Sequence, residues 1–143
     1  DTFVRNFERL PDSITSRLTV ENDDRESLYS TIELYEGLFE RTGIPIVFDY
    51  HHHGFCTGGL SERDALEVAI STWGDIKPVV HYSESRAEEK KDAKIRPHAH
   101  SDYVNGPIDD YGYDLDVMIE AKAKELALFG LRKNDAARLT AAA

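Results

Sequence analysis

The chain has 143 residues, of which 41% are hydrophobic and 31% are charged, a composition typical of one soluble domain with a core of its own. A formal net charge of -10 argues against a protein that grips nucleic acid through a basic surface over the whole molecule. No run of about 18 apolar residues is present, so the sequence predicts no transmembrane helix.

Cys56 is the only cysteine. A single cysteine excludes an internal disulfide bond and a cluster of zinc-binding thiolates. It also indicates a reducing compartment, so we expect an intracellular protein. The sequence shows no signal-peptide pattern. It begins at Asp1 rather than at Met, which leaves open whether other residues precede it.

The first half of the chain alternates predicted strands and helices. Residues 16–22 contain apolar and β-branched residues and predict a strand. Residues 25–43 have apolar side chains at helical spacing, and Gly43 is expected to end that helix. Residues 44–50 are nearly all apolar, as expected for a parallel strand that is buried on both faces.

The second half repeats this alternation, and a charged segment without hydrophobic periodicity interrupts it. Ser61 has Asp64 three residues further on, a pattern typical of a capped helix start. The predicted elements are a helix over residues 61–74, a strand over 77–83, a loop over 87–97, a strand over 114–122 and a helix over 123–134.

The order of these elements predicts an α/β fold in which crossover helices connect parallel strands. A TIM barrel has eight such strands and typically about 250 residues. We therefore expect four parallel βα units, which would form either half of a TIM (β/α)8 barrel or a small four-stranded sheet. Residues 1–143 are expected to form a single domain.

A side chain that can bind a metal ion lies near the carboxyl end of each predicted strand. Glu21 ends the first strand, Asp49 and His52 follow the second, His81 lies near the end of the third and Glu120 near the end of the fourth. The carboxyl ends of parallel strands carry the active site in α/β folds. Carboxylates and imidazoles together suit Zn, Mn or Fe, and hard oxygen ligands favour Mn or Mg.

Each of these residues also has an ordinary structural explanation. A strand-end carboxylate such as Glu21 often contacts a helix start or solvent, Asp49 could cap the next turn, and His81 could be a satisfied core histidine. The joint pattern on four strands is harder to explain by chance. Burying these carboxylates together without cations would also be costly.

Two further segments contain histidines. His98 and His100 lie on the loop after the third strand, at the same face as the other candidates, and we favour His100 as a ligand with His98 as the alternative. In the run of three histidines, the D-x-x-H spacing pairs His52 with Asp49. Its two neighbours are expected to lie behind the ligands or to face solvent.

The motifs RLTVENDD, FDYHHH, HYS, HSDYV and DVMIEAKAKE together resemble the UV damage endonuclease family. The resemblance covers residues 3–133 and implies the C-terminal half of that family's TIM barrel, which is related to endonuclease IV and to xylose isomerase-like barrels. It implies a cluster of divalent ions, most often Mn²⁺, with Zn²⁺ or Mg²⁺ as alternatives. The implied reaction is attack by metal-bound hydroxide that nicks damaged double-stranded DNA 5′ to ultraviolet photoproducts or abasic sites. The implied metal ligands are Glu21, Asp49, His52, His81, His100 and Glu120, and the implied catalytic residues are Glu21, Asp49, Glu120 and Lys122.

Two lysines near the predicted site have open roles. Lys122 follows Glu120 by two residues and is expected on the same strand face, where it could contact phosphate, a ligand carboxylate or a structural ion-pair partner. The family resembled has a lysine, which can be carboxylated, where this chain has Val79. Lys77 is the nearest lysine, and whether it replaces the family's lysine stays open.

The family's N-terminal half, which supplies further histidine ligands and the residues that probe damaged bases, has no counterpart in this sequence. A half-barrel exposes two strand edges and an apolar interior. The chain could therefore be a fragment, pair with a separately encoded half, or form a homodimer. Two alternative functions are a metal-dependent sugar isomerase or epimerase on the same barrel, and a non-catalytic half-barrel remnant. The D-x-x-H and EAKAKE motifs favour the endonuclease over the isomerase.

Overall fold

The computed structural model describes residues 1–141. Four parallel strands form one sheet in chain order, with β1 and β4 at its two edges. This sheet confirms the predicted α/β fold with four parallel strands and is consistent with half of a barrel. The strands are β1 (Val20–Glu21), β2 (Ile46–Asp49), β3 (Val79–Tyr82) and β4 (Asp116–Ile119).

Helices precede the sheet and connect its strands. A π-helical turn, Tyr35–Phe39, joins two short α-helices into one continuous helix between β1 and β2. None of the helices within the described residues is long and apolar enough to cross a membrane. The α-helices are α1 (Thr2–Phe7), α2 (Asp12–Thr15), α3 (Thr31–Leu34), α4 (Glu40–Thr42), α5 (Tyr50–His53), α6 (Glu62–Ser71), α7 (Arg86–Lys90) and α8 (Glu125–Ala141).

The register of the strands aligns their carboxyl ends. Asp49 of β2 lies opposite His81 of β3. The N–H of Glu120 donates to the carbonyl of Tyr82 at 2.9 Å, which continues the β3–β4 pairing one residue past Ile119. Parallel pairing therefore places the residues that follow β1, β2, β3 and β4 along one edge of the sheet.

The hydrophobic core lies between the sheet and the helices α3 and α6. Phe48 is fully buried at its centre, and its ring meets the ring of Tyr50 edge-on at 4.9 Å. Successive strand residues point to opposite faces, so Asp49 turns away from this core toward the inner face of the sheet. The other buried members of the core are Leu34, Ile46, Ala65, Leu66, Ala69 and Val80.

The first long helix begins later than its hydrophobic pattern predicts. Ser30 donates its N–H to the carboxylate of Glu33 at 2.8 Å and its hydroxyl to the same oxygen at 2.6 Å, and these bonds fix the helix start. Leu28, which fits the helical spacing, lies before the helix and is 39% exposed. Gly43 ends the helix in a left-handed conformation with φ of 68°, as predicted.

Other boundaries also differ from the predictions. The predicted first and fourth strands shrink to two and four residues. The charged segment 87–97, predicted as a loop, begins with most of α7. The last helix runs to Ala141 instead of ending near Asn134, because its alanine-rich end keeps a high helix propensity without an apolar pattern. Ser61 accepts the N–H of Asp64 at 3.2 Å, which confirms the predicted cap of α6.

Candidate metal centre

Five of the six predicted ligands come together where the strands end. Their ligand atoms form two sets of three, and within each set all atoms lie within 4.8 Å of one another. The first set is Glu21, Asp49 and His52, and the second is Asp49, His81 and Glu120. Asp49 belongs to both sets, so its carboxylate lies at the middle of the cluster.

Carboxylates and imidazoles alternate around this cluster. The two oxygens of Glu21 lie 3.3 Å from Nδ1 of His52 and 3.3 Å from Nδ1 of His81. Nδ1 of His81 is also 3.4 Å from Oε1 of Glu120. Each imidazole is thus held between acidic groups, an arrangement that places several ligand atoms around a common volume.

The two oxygens of Asp49 have different environments. Oδ1 accepts the backbone N–H of His52 at 2.8 Å and so caps α5, which was one of the alternatives drawn from the sequence. Oδ2 is buried and has no hydrogen-bond partner among the described residues. Burial raises the pKa of Asp49 to about 6, and the negative charges of Glu21 and Glu120 add to this effect. A divalent cation would give Oδ2 a partner, so this donor set fits such an ion.

The other members of the first set carry opposite pKa shifts. Burial would raise the pKa of Glu21, but the imidazoles of His52 and His81, each with Nδ1 3.3 Å from a Glu21 oxygen, lower it to about 2. Burial would lower the pKa of His52, but the contact with Glu21 and the charge of Asp49 raise it to about 9. The carboxylate of Glu21 also raises the pKa of His81. Without a cation, therefore, the imidazoles hold protons that an incoming ion would displace.

Asn22 supports the cluster and was not predicted as a site residue. Its side chain, which is 1% exposed, donates to the carbonyl of Asp49 at 3.0 Å and accepts the N–H of Asp49 at 2.8 Å. Its backbone carbonyl lies 2.9 Å from Nδ1 of His52, the same ring nitrogen that faces Glu21, so Asn22 also helps to orient this imidazole. In the sequence Asn22 is only an asparagine directly after a strand-end glutamate, and neither its burial nor its partner follows from that position.

The two loop histidines take different positions. Nδ1 of His100 lies 3.5 Å from Oε2 of Glu120, so His100 is at the margin of the cluster but in neither set of three. His98 instead bonds through Nδ1 to Asp24 at 2.8 Å, and its ring stacks on Phe55 with centroids 3.9 Å apart. The structure thus brings His100, and not His98, next to a predicted ligand.

The remaining histidines of the triple run lie inside the protein. His53 is 4% exposed and packs near Phe48, with ring centroids 5.3 Å apart, so it belongs to the core side of the sheet and does not face solvent. His51 is half-buried, and its ring meets the ring of His100 edge-on at 5.5 Å. His51 therefore lies behind the cluster, which agrees with the expectation that the neighbours of His52 lie behind the ligands.

Neither lysine lies inside the cluster. Because β4 ends at Ile119, the prediction that Lys122 shares a strand face with Glu120 is wrong. Lys122 lies in the following turn, where its side chain is exposed and its N–H donates to the carbonyl of Ser101. Lys77 bonds to Asp114 at 2.8 Å and to Asp116 at 3.0 Å, so its ammonium group lies near the amino ends of β3 and β4 and away from the cluster.

The fold and the cluster together define a class: an α/β half-barrel whose strand ends carry a carboxylate–histidine cluster that could hold divalent metal ions. The sequence model of the family described as "UV-endonuclease UvdE" matches residues 1–141. The chain belongs to that family.

Individual relatives agree with this assignment. A "UV DNA damage endonuclease" of Bacillus velezensis is 40% identical over 140 residues, covering 90% of this chain and 41% of that protein. A "UV-damage endonuclease" of Schizosaccharomyces pombe is 38% identical over 140 residues, covering 92% of this chain and 22% of that protein. The solved structure titled "Crystal Structure of SacUVDE" has a TM-score of 0.75 and 33% identity, covering 92% of this chain and 43% of that one. The chain therefore spans less than half of the length of these relatives.

Proposed function

We propose that the chain is the metal-binding half of a DNA repair endonuclease that nicks DNA 5′ to ultraviolet photoproducts or abasic sites. The main support for this proposal is the arrangement of the candidate ligands. Two overlapping sets of carboxylate and imidazole ligands share the buried Asp49 at the carboxyl ends of parallel strands, in a chain of the UvdE family. The relatives named above are called endonucleases, so this function is favoured over a sugar isomerase.

The proposed cofactor is Mn²⁺, with Zn²⁺ and Mg²⁺ as alternatives. Divalent ions, when bound, supply an activated water and stabilise charge on the phosphate as it reacts. The residues proposed to hold them are Glu21, Asp49, His52, His81, His100 and Glu120. Within this group, the carboxylates of Glu21 and Asp49 lie between other proposed ligands and would hold an ion together with them.

Damaged double-stranded DNA is the proposed partner, and such a substrate would require an intracellular location. Lys122 is exposed beside Glu120 and His100 in one concave surface, where it is proposed to contact a phosphate of the substrate. Residues 1–143 are proposed to act as one unit whose open edges are covered by a second half-barrel.

Nicking of plasmid DNA tests the proposed function. Supercoiled plasmid irradiated with ultraviolet light is incubated with the protein and Mn²⁺, and conversion to the relaxed form is followed on a gel. We expect nicking of irradiated but not of unirradiated plasmid, and its loss in Glu120→Gln. The matched control is Glu40→Gln on the exposed surface of α4, which should nick as the original protein does. If irradiated plasmid stays intact although the protein retains Mn²⁺, this chain does not nick DNA on its own, and the non-catalytic remnant is favoured.

A further inference from the structure

A basic segment lies beside the candidate metal centre, although the chain as a whole is acidic. Residues 86–96 contain five Lys or Arg and three Asp or Glu, in a protein with a formal net charge of -10. Positive charge is therefore concentrated on the connection between β3 and β4. Phosphate-binding surfaces need such a local excess of positive charge and do not need a basic protein.

Backbone hydrogen bonds hold this connection against the end of β3. The N–H of Arg86 donates to the carbonyl of Ala99 at 2.7 Å, and the N–H of Ser101 donates to the carbonyl of Glu84 at 2.8 Å. Ser85 donates its hydroxyl to the carbonyl of Pro97 at 2.8 Å. The basic segment thus leaves the sheet and returns to it at His100, next to the cluster.

Two of the basic residues in this segment are neutralised locally. Lys90 lies 2.7 Å from Asp102 and 3.1 Å from Glu89, and Arg86 lies 3.6 Å from Asp102. Lys94 and Arg96 are exposed, and neither has a carboxylate within ion-pair distance among the described residues. The N–H of Lys94 donates to the side chain of Asp92 at 2.9 Å, which shapes the turn that presents these two charges.

These charges belong to a surface that is continuous with the cluster. Arg96 and Lys122 line a concavity of about 820 Å³ together with the predicted ligands His100 and Glu120. The same two residues, with Lys94, line an adjoining concavity of about 570 Å³. The path from the predicted metal ligands to the unpaired cations therefore runs along one recessed surface.

We propose that Lys94, Arg96 and Lys122 form a phosphate-binding surface for a DNA strand whose scissile phosphodiester lies at the cluster. The proposal rests on the proposed endonuclease function and names the surface through which that substrate is held. A strand at the cluster carries further phosphates on either side of the reacting one. Lysine and arginine without carboxylate partners attract these phosphates without first breaking an ion pair.

Salt-dependent binding tests this surface. Binding of a fluorescein-labelled undamaged duplex is measured by anisotropy in EDTA at several salt concentrations, for the original protein and for Lys94→Gln/Arg96→Gln. We expect the double variant to bind on the order of tenfold more weakly at low salt. The slope of log K against log salt should become shallower by about 1.8, which corresponds to about 0.9 for each lost phosphate contact. Lys122 is left unchanged because it lies beside the proposed catalytic ligands.

The matched control is Arg5→Gln/Arg9→Gln, which removes the same charge from the exposed surface of α1 and the turn after it. It should bind with the original slope. If both double variants lost the same amount of duplex affinity, the loss would follow from the change in net charge, and the proposal would be overturned. The proposal would also be overturned if Lys94→Gln/Arg96→Gln bound the duplex as tightly as the original protein does. It would be overturned as well if the original protein bound no duplex at low salt, or bound a single-stranded RNA of equal length more tightly than the duplex.

A parallel nicking assay separates this proposal from the proposed function. If irradiated plasmid is not nicked but duplex binding still depends on Lys94 and Arg96, the endonuclease proposal fails and the phosphate-binding surface stands. If the double variant nicks and binds as the original protein does, the surface fails and the endonuclease proposal stands. Melting curves followed by circular dichroism should superimpose for all three proteins, since the four substituted side chains are exposed.

Discussion

Asp49 combines a structural and a chemical role in one carboxylate. One oxygen caps α5 and thereby fixes the backbone of His52, while the other oxygen is buried without a partner. Capping a short turn explains only the first of these contacts. The buried oxygen without a partner lowers the stability of the fold unless a cation or a proton compensates its charge. For this reason burial raises the pKa of Asp49 to about 6.

Asn22→Ala should weaken both the fold and metal binding. The substitution leaves the buried N–H and carbonyl of Asp49 without partners, which costs about 1–3 kcal/mol for each unsatisfied group. We expect a lower free energy of unfolding in urea and weaker Mn²⁺ binding in calorimetry. Asn6→Ala, at an exposed position in α1, is the control and should change neither quantity. An unchanged free energy of unfolding in Asn22→Ala would contradict a stabilising role for the two hydrogen bonds between Asn22 and Asp49.

Mn²⁺ binding should strengthen as the pH rises from 6 to 9. His52, whose pKa is about 9, holds a proton over most of this range, and Asp49, whose pKa is about 6, holds one at its lower end. An ion must displace these protons, so its apparent affinity increases as they are lost, and binding releases protons to the buffer. Calorimetry in two buffers of different ionisation enthalpy measures both effects. An affinity that does not vary with pH would contradict the assignment of these ligands.

The metal-free protein should show the opposite trend in stability. Because the pKa of His52 is raised from 6.5 to about 9 in the folded state, its stabilising effect is fully present below pH 6.5 and is lost as the pH rises through about 9. Glu21, whose pKa is lowered to about 2, contributes above pH 4.5 and loses its contribution as the pH falls toward 2. A metal-free protein should therefore unfold more readily at pH 9 than at pH 6.5, whereas metal binding improves over the same interval.

At the level of the elements, the loop before α6 packs directly on the start of α3. Gly58 has a φ of 59°, and a Cβ at this position would lie 2.5 Å from Oγ of Ser30 and 2.8 Å from Cγ2 of Ile32. Ser30 is fully buried and bonded to Glu33, so it has little room to move. Glycine is required here for two reasons: a left-handed backbone and close contact.

Gly58→Ala and Gly59→Ala separate these two reasons. Both positions have positive φ, at 59° and 83°, but a Cβ on Gly59 would meet nothing within 4 Å. We expect Gly59→Ala to cost about 1 kcal/mol for the backbone alone. Gly58→Ala should cost about 1–3 kcal/mol more because it displaces the cap of α3. Thermal unfolding measures the difference in stability between the two variants. Equal melting temperatures would show that the side chain of Ser30 can move to make room for the added methyl group.

The sequence predicted the elements that depend on local periodicity and the candidate ligands that depend on local spacing. The four strands and the pairing of Asp49 with His52 follow from apolar runs and from a three-residue interval, both visible along the chain. Asn22 escaped prediction because its partner is 27 residues away and becomes apparent only from the register of β1 and β2. The position of Lys122 was missed for a related reason, since alternation along a strand fails once the strand ends at Ile119.

The molecule as a whole leaves two strand edges and several apolar side chains exposed. Tyr29 is 60% exposed near β1, while Met118 on β4 and Phe129 on α8 are 53% and 59% exposed. An open parallel sheet with such edges resembles an incomplete barrel, and edge strands readily pair with further strands. This exposure is the physical basis for proposing that a second half-barrel covers the edges.

We predict that the chain self-associates when it is alone in solution. Light scattering should give a mass above the 16.2 kDa of one chain, increasing with concentration. Phe129→Glu should lower the mass by placing a charge on the exposed face of α8. Ile76→Glu is the control, because Ile76 is 64% exposed but precedes β3, which is not an edge strand. A stable monomer at all concentrations would contradict self-association through the edges.

The manganese content of each chain shows whether the strand ends bind a metal ion. The protein is loaded with Mn²⁺, passed through a desalting column and analysed by mass spectrometry for manganese per chain. We expect the original protein to retain manganese, and so should Asp12→Asn, which removes an exposed carboxylate. We expect Asp49→Asn to lose that manganese, because its amide oxygen can still cap α5 but its nitrogen would face the candidate ligands. Absence of manganese from the original protein, or equal retention in a folded Asp49→Asn, would contradict a metal centre at these strand ends.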